Sequence, residues 1–181
     1  WYGLEDFAHA NVVCVTHGHE EHYLDTPAVV ARSGADVVGT KAVCDYLRWR
    51  SRVPRERLHP VQPFSPVKVR GFDITTFKWQ HRDINLWKAL TKALFQGNAT
   101  QLSWAWSSAT NAPFYSDYTG FHVTLPGGLT VLNYNEGFNS KMTDAEIRDL
   151  GRRVRTDVLL AGMQLSFMED VARGAEALAP K

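Results

Sequence analysis

Hydrophobic and polar positions along the chain follow two periods. Short β-branched runs at Asn11–Thr16, Val37–Gly39 and Asp157–Ala161 predict buried strands. Two further pairs of runs read as hairpins: Val67–Arg70 with Phe72–Trp79 around Gly71, and Phe121–Leu125 with Leu129–Tyr134 around Pro126-Gly127-Gly128. Helical signals lie between them. Asp25-Thr26-Pro27 places a capping residue before a proline, whose missing N–H costs nothing in a first turn. Thr40 caps a helix that runs to Arg50, and Pro54 begins a short turn. Over Asp83–Gln96 the apolar residues Ile84, Trp87, Leu90, Ala93 and Leu94 recur at helical spacing, with Gly97 as the stop. Thr143-Asp144-Ala145-Glu146 and Ser166-Phe167-Met168-Glu169 are capping boxes. Strands alternating with helices, plus hairpins, predict an α/β fold with helices outside the sheets. Residues 98–118 are polar and aromatic without a clear period, and the chain carries no internal repeat.

The chemistry concentrates behind the first strand. Thr16-His17-Gly18-His19-Glu20-Glu21-His22 places three histidines and two carboxylates in one short loop after the apolar run Val12-Val13-Cys14-Val15. Imidazole and carboxylate are the side chains that hold borderline divalent metals. A lone histidine would read as a packed or surface imidazole; three at this density read as ligands. Elsewhere the bland reading is kept. His122 is expected to be packed or hydrogen-bonded within its strand, His9 and His59 to lie on the surface, Glu20 to face solvent and Asp25 to cap its helix.

Composition narrows the class. The 181 residues suffice for one domain with a real core, and 44% apolar with 22% charged residues is ordinary for a globular protein. A net charge of +1 supplies no broad field for nucleic acid or an acidic membrane. The run Arg48-Trp49-Arg50-Ser51-Arg52-Val53-Pro54-Arg55-Glu56-Arg57 is basic and could bind phosphate or nucleic acid, but such runs are more often the solvated end of a helix. No apolar stretch approaches the ~20 residues of a membrane span. The two cysteines, Cys14 and Cys44, match no metal spacing and demand no oxidising compartment, so a cytoplasmic location is expected.

The T-H-G-H-E-E-H loop resembles the T-H-x-H-x-D-H signature of the metallo-β-lactamase superfamily, with Glu21 where the family has Asp. The resemblance continues in order. Ala35–Thr40 and Thr40–Arg50 look like the next strand and helix, and Phe77-Lys78-Trp79-Gln80-His81 looks like the strand presenting the third histidine. Gly120–Val123 with Leu129–Glu136 looks like the late hairpin, where Asn135-Glu136 stands in place of the family's Gly-Asp. It covers most of the chain outside roughly residues 82–118.

The resemblance implies a four-layer αβ/βα sandwich, read as a single domain over residues 1–181 with an aromatic-rich insertion at 82–118. Compared with the ascorbate-phosphate-lactonase-like branch, the chain reads as an excerpt that lacks the first strands and a last histidine ligand. One metal would take His17, His19 and His81; a second would take Glu21 and His22, with Glu136 bridging. The ions expected are one or two zincs, with manganese and iron as alternatives. The implied chemistry is hydrolysis of an ester, lactone or phosphodiester by a metal-bound hydroxide, with the pKa of water lowered to ~7. Glu21 would orient that hydroxide. The alternatives are a nuclease of the same superfamily and a catalytically degenerate metal-binding scaffold; glutamate at both carboxylate positions, one methylene longer than aspartate, weighs toward the latter. Trp87, Phe95, Trp104, Trp106, Phe114, Tyr115 and Tyr118 suit either a wall for a small or lipid-like substrate or an oligomer interface.

Overall fold

A computed structural model describes residues 3–81, 86–95, 117–162 and 168–179, with isolated positions between 97 and 106. Asp83, Ile84, Gln96 and Asn98 of the expected helix and its end, the aromatics Trp104, Phe114 and Tyr115, and Ser166-Phe167 of the second capping box lie outside the described residues. The chain divides into two compact units, Trp1–His59 with Asp83–Ser116, and Pro60–Arg82 with Asp117–Lys181.

In the first unit, β1 (Val12–Val15) pairs in parallel with β2 (Asp36–Thr40), with Cys14 opposite Val38. A parallel pair needs a crossover. It is built from α1 (Glu20–Tyr23), a single turn that hydrophobic periodicity did not separate, and α2 (Thr26–Ser33). Gly34 ends α2 at φ 68°, a left-handed position suited to glycine. Asp25 stands at the N-cap of α2 but makes no side-chain cap bond, which corrects the expectation; its own φ and ψ are already helical, whereas a capping side chain usually works from extended backbone. Thr40 behaves as expected: its Oγ1 accepts from the Val43 N–H at 3.3 Å and opens α3 (Lys41–Trp49). The sheet order is β1-β2-β3, where β3 (Leu58–Val61) was not foreseen. Val15, Val30, Val37, Val43 and Leu47 form the core. His59 is half-buried rather than superficial, with Nε2 3.7 Å from Asp36 Oδ1. The α4 helix (Leu86–Phe95) leaves Trp87, Leu94 and Phe95 exposed.

The second unit is a five-stranded sheet ordered β4-β5-β6-β7-β8. β4 (Val67–Val69) and β5 (Phe72–Lys78) turn at Arg70 and Gly71, both with positive φ (52° and 85°), as a primed two-residue turn requires. β6 (Thr119–Thr124) and β7 (Thr130–Asn135) form the second expected hairpin. β7 then pairs in parallel with β8 (Val158–Ala161) through α5 (Asp144–Arg153). Phe77, Trp79, Leu132, Tyr134, Phe138, Ile147 and Leu150 make the core with Leu178 of α6 (Met168–Leu178). β8 is not the buried strand its apolar run suggested: Leu160 is 51% exposed, because only alternate residues face the core. Among the described residues no helix is long and apolar enough to cross a membrane.

The α5 capping box is complete. Thr143 Oγ1 accepts from the Glu146 N–H, and the Thr143 N–H donates to Glu146 Oε2 at 2.8 Å. The bond from the Thr143 N–H, together with one from its hydroxyl to the same Oε2 at 2.7 Å, holds the Glu146 carboxyl below its ordinary pKa. A depressed carboxylate contributes stability that is present above its unfolded pKa of about 4.3 and lost as pH falls through the folded value. Thr143→Ala is expected to cost about 0.5–2 kcal/mol and to flatten that acid-side loss, as read by urea unfolding on both sides of the carboxylate range.

Candidate metal centre

Val15 is buried, so the end of β1 is anchored and the loop behind it starts from a fixed point. Thr16 Oγ1 lies 3.0 Å from His17 Nδ1 and orients that ring. His17 Nε2 then lies 3.0 Å from His19 Nδ1. His19 is the N-cap of α1, and its carbonyl accepts from the His22 N–H at 3.0 Å. That single helical turn brings His22 back over His17, with ring centroids 4.0 Å apart. One ligand nitrogen from each of His17, His19 and His22 lies within 4.8 Å of the others. His17 and His19 are buried and His22 is half-buried.

The donor set suits a divalent ion. Two imidazoles on one tetrahedral zinc, with bonds of 2.0–2.1 Å, hold their nitrogens about 3.3 Å apart. The facing nitrogens of His17 and His19 already stand near that separation. Glu21 lies at the margin: its side chain is about half exposed, and Oε1 is 3.9 Å from His19 Nδ1.

The second unit assembles the other expected residues separately. Phe77, Trp79 and His81 alternate along β5 and its extension, and all three are buried while Lys78 and Gln80 are exposed. The His81 ring packs against Trp79, with centroids 5.6 Å apart, and against Tyr118 at 4.7 Å. Its Nε2 lies 3.3 Å from Glu136 Oε2. Glu136 follows β7 through Asn135, a non-glycine residue at φ 48°, whose carbonyl accepts from the Gly162 N–H at 2.7 Å. The structure thus brings together His17, His19 and His22 in one unit and His81 with Glu136 in the other.

Two residues outside the sequence-derived set touch this arrangement. Tyr118, grouped at first with the aromatic insertion, packs on His81. Asn139, in the loop after β7, donates from Nδ2 to the carbonyls of Gln80 (2.8 Å) and Glu136 (3.0 Å). A polar residue two positions after Gly137 reads as ordinary turn material, so the sequence carried no signal for this role. The bland readings of His9 and His122 hold: His9 is exposed. His122 Nε2 donates to the Arg155 carbonyl at 2.7 Å. Desolvation pushes the Cys14 and Cys44 thiols up to about 12, which leaves neither as a ready thiolate ligand.

No protein-family profile matches the chain. A UPF0173 metal-dependent hydrolase of Carboxydothermus hydrogenoformans is 40% identical over 50 residues, 28% of this chain and 22% of that protein. The solved structure of Igni18, a novel metallo hydrolase from Ignicoccus hospitalis, aligns over 99% of this chain and 65% of its own, with a TM-score of 0.62 at 16% identity. The metallo-β-lactamase fold protein YhfI from Bacillus subtilis aligns over 82% of this chain and 48% of its own, with a TM-score of 0.44 at 13% identity, too weak to add weight. The chain therefore spans about a fifth of the curated relative and just under two thirds of the Igni18 structure. The near-complete alignment with Igni18, together with two sheets and the helices that connect their strands, shows that the chain shares the α/β fold of that structure.

Proposed function

We propose that this chain is the metal-binding part of a metal-dependent hydrolase acting on an ester, lactone or phosphodiester. The observation that carries the reading is the convergence of three imidazoles, two of them buried, at the carboxyl end of β1. The donors would be His17, His19 and His22, with Glu21 beside them; His81 and Glu136 are a further pair of candidate ligands, each group taken by itself. Zinc suits nitrogen-rich ligation; the two carboxylates leave manganese or iron as alternatives. When bound, such an ion supplies Lewis acidity and makes water nucleophilic near neutral pH. Thr16 orients the His17 ring, Glu21 would be the group to accept a proton from the attacking water, and Glu136 faces the His81 ring from its Nε2 side.

A small-molecule or lipid-like substrate is supported by a cavity of about 370 Å³ in the first unit. Glu21 and His22 line it together with Phe7, Val12, Leu24 and Val29, an apolar space with a few polar groups, as small-ligand sites usually are. In this reading residues 82–118 are an insertion in one domain, with the exposed Trp87 and Phe95 available to a substrate or a second copy of the chain. The two free cysteines fit a reducing compartment such as cytoplasm.

The direct test is elemental analysis of protein purified without added metal, followed by turnover of p-nitrophenyl esters, lactones and bis-p-nitrophenyl phosphate before and after chelation. Bound divalent metal, activity lost on chelation and activity restored by zinc or manganese are expected. Metal-free protein that binds no zinc on titration would overturn the proposal.

A further inference from the structure

The geometry points to Asn139 as a positioning residue that sets the separation of His81 and Glu136. These two side chains come from different strands. His81 follows β5 and Glu136 follows β7, and in the sheet β6 lies between those strands. Ladder hydrogen bonds do not join β5 directly to β7, so something beyond the ladder must fix how the ends of these strands meet. The Asn139 carboxamide does this. Only 3% of the residue is exposed. Its Nδ2 donates to the carbonyl of Gln80, the residue before His81, and to the carbonyl of Glu136 itself. Its Oδ1 accepts from the Lys141 N–H at 3.0 Å, so the amide is held at both ends.

The loop that carries Asn139 is braced in turn. The Asn139 carbonyl accepts from the Met142 N–H at 3.0 Å, and Arg173 of α6 donates from Nη2 to the carbonyls of Asn139 (3.3 Å) and Met142 (3.2 Å). Arg173 also pairs with Asp144 at the start of α5. Met142 returns to the segment that leads into His81, where its Sδ accepts from the Gln80 N–H at 3.4 Å. Gln80 is therefore gripped at both its N–H and its carbonyl by residues 139–142. A side chain adjoining a fixed peptide has few orientations, and the Trp79 and Tyr118 rings leave His81 fewer still. The result is a preset distance of 3.3 Å between His81 Nε2 and Glu136 Oε2.

Asn139→Asp tests this. The substitution keeps the shape and the Oδ1 acceptor but removes the donor that both carbonyls share. If it does not fold, Asn139→Ala, which introduces no charge, takes its place. Thr143→Ala is the control, since it weakens the same region without touching the clasp. Two quantities are read. In metal-free protein the imidazole ¹⁵N resonances of His81 are expected to move in N139D while those of His122 stay in place; T143A should move neither. The zinc dissociation constant, from competition with a chromophoric chelator, is expected to rise about ten- to a hundred-fold in N139D and to stay unchanged in T143A. The zinc arm rests on the metal reading above, and His81→Ala separates the two ideas. If H81A binds zinc like the parent, the metal reading fails at this residue and the ring resonances alone decide. Unmoved His81 resonances in folded N139D would overturn the assignment, as would equal effects of N139D and T143A.

Discussion

Replacing His19 with alanine is expected to lower zinc affinity by more than about a hundred-fold, beyond the loss usual for partners outside the ligand set, and to abolish any metal-dependent turnover. The size follows from its position. His19 is buried and sits beside both neighbours, with Nδ1 3.0 Å from His17 Nε2 and its ring 6.3 Å from that of His22. Removing it takes away one nitrogen of three and also the partner that fixes the His17 ring. The backbone survives, because His19 serves α1 as an N-cap through its main chain and makes no side-chain cap bond. Circular dichroism should therefore be unchanged while metal content falls. His9→Ala is the matched control, since His9 is exposed and stands apart from the cluster. Full metal content and affinity in H19A would remove the basis for a metal centre at this loop.

How much of this could be read from residues alone differs between the two units. The histidine loop was legible because it is local: strand, ligands and helical turn follow one another within a dozen positions, and one turn of α1 suffices to fold His22 back. Thr40, Gly71 and Thr143 were legible for the same reason, since caps and two-residue turns are decided by neighbours in the chain. The Asn139 clasp was not. It joins positions 59 apart, Asn139 and Gln80, and neither residue type is unusual where it stands. The β8 strand shows a third case. Its four apolar residues suggested burial on both faces, yet Leu160 is half exposed, because the number of apolar residues in a run does not say how many faces the neighbours cover. Asp25 was misread from a propensity: the residue type fits an N-cap, but the backbone there has already entered the helix and the side chain makes no bond. In each case the miss lies where a long-range partner or a local backbone angle, rather than the adjoining sequence, decides the outcome.

The second large effect is expected away from any ligand. Phe77 is 2% exposed on the same face of β5 as Trp79 and His81, so it anchors the strand that delivers the histidine. Its register partner on β6 is Gly120, and a Cβ built there would stand only 2.1 Å from Phe77 Cζ. The ring thus occupies the space a side chain would take on the neighbouring strand, with Tyr134 on another side at a centroid distance of 5.0 Å. Phe77→Ala should cost about 3–5 kcal/mol through lost burial and the cavity left behind, a large share of the roughly 5–15 kcal/mol typical of a domain. Gly120→Ala should cost about 1–3 kcal/mol by overpacking. If ring and Cβ compete for one space, the double variant must be less damaged than the sum of the two, because the new methyl enters the cavity and no longer meets the ring. A coupling of about 0.5–3 kcal/mol is then expected, measured by urea unfolding of all four proteins at one pH. Strict additivity would show that Gly120 is required by the backbone itself and not by the phenylalanine opposite.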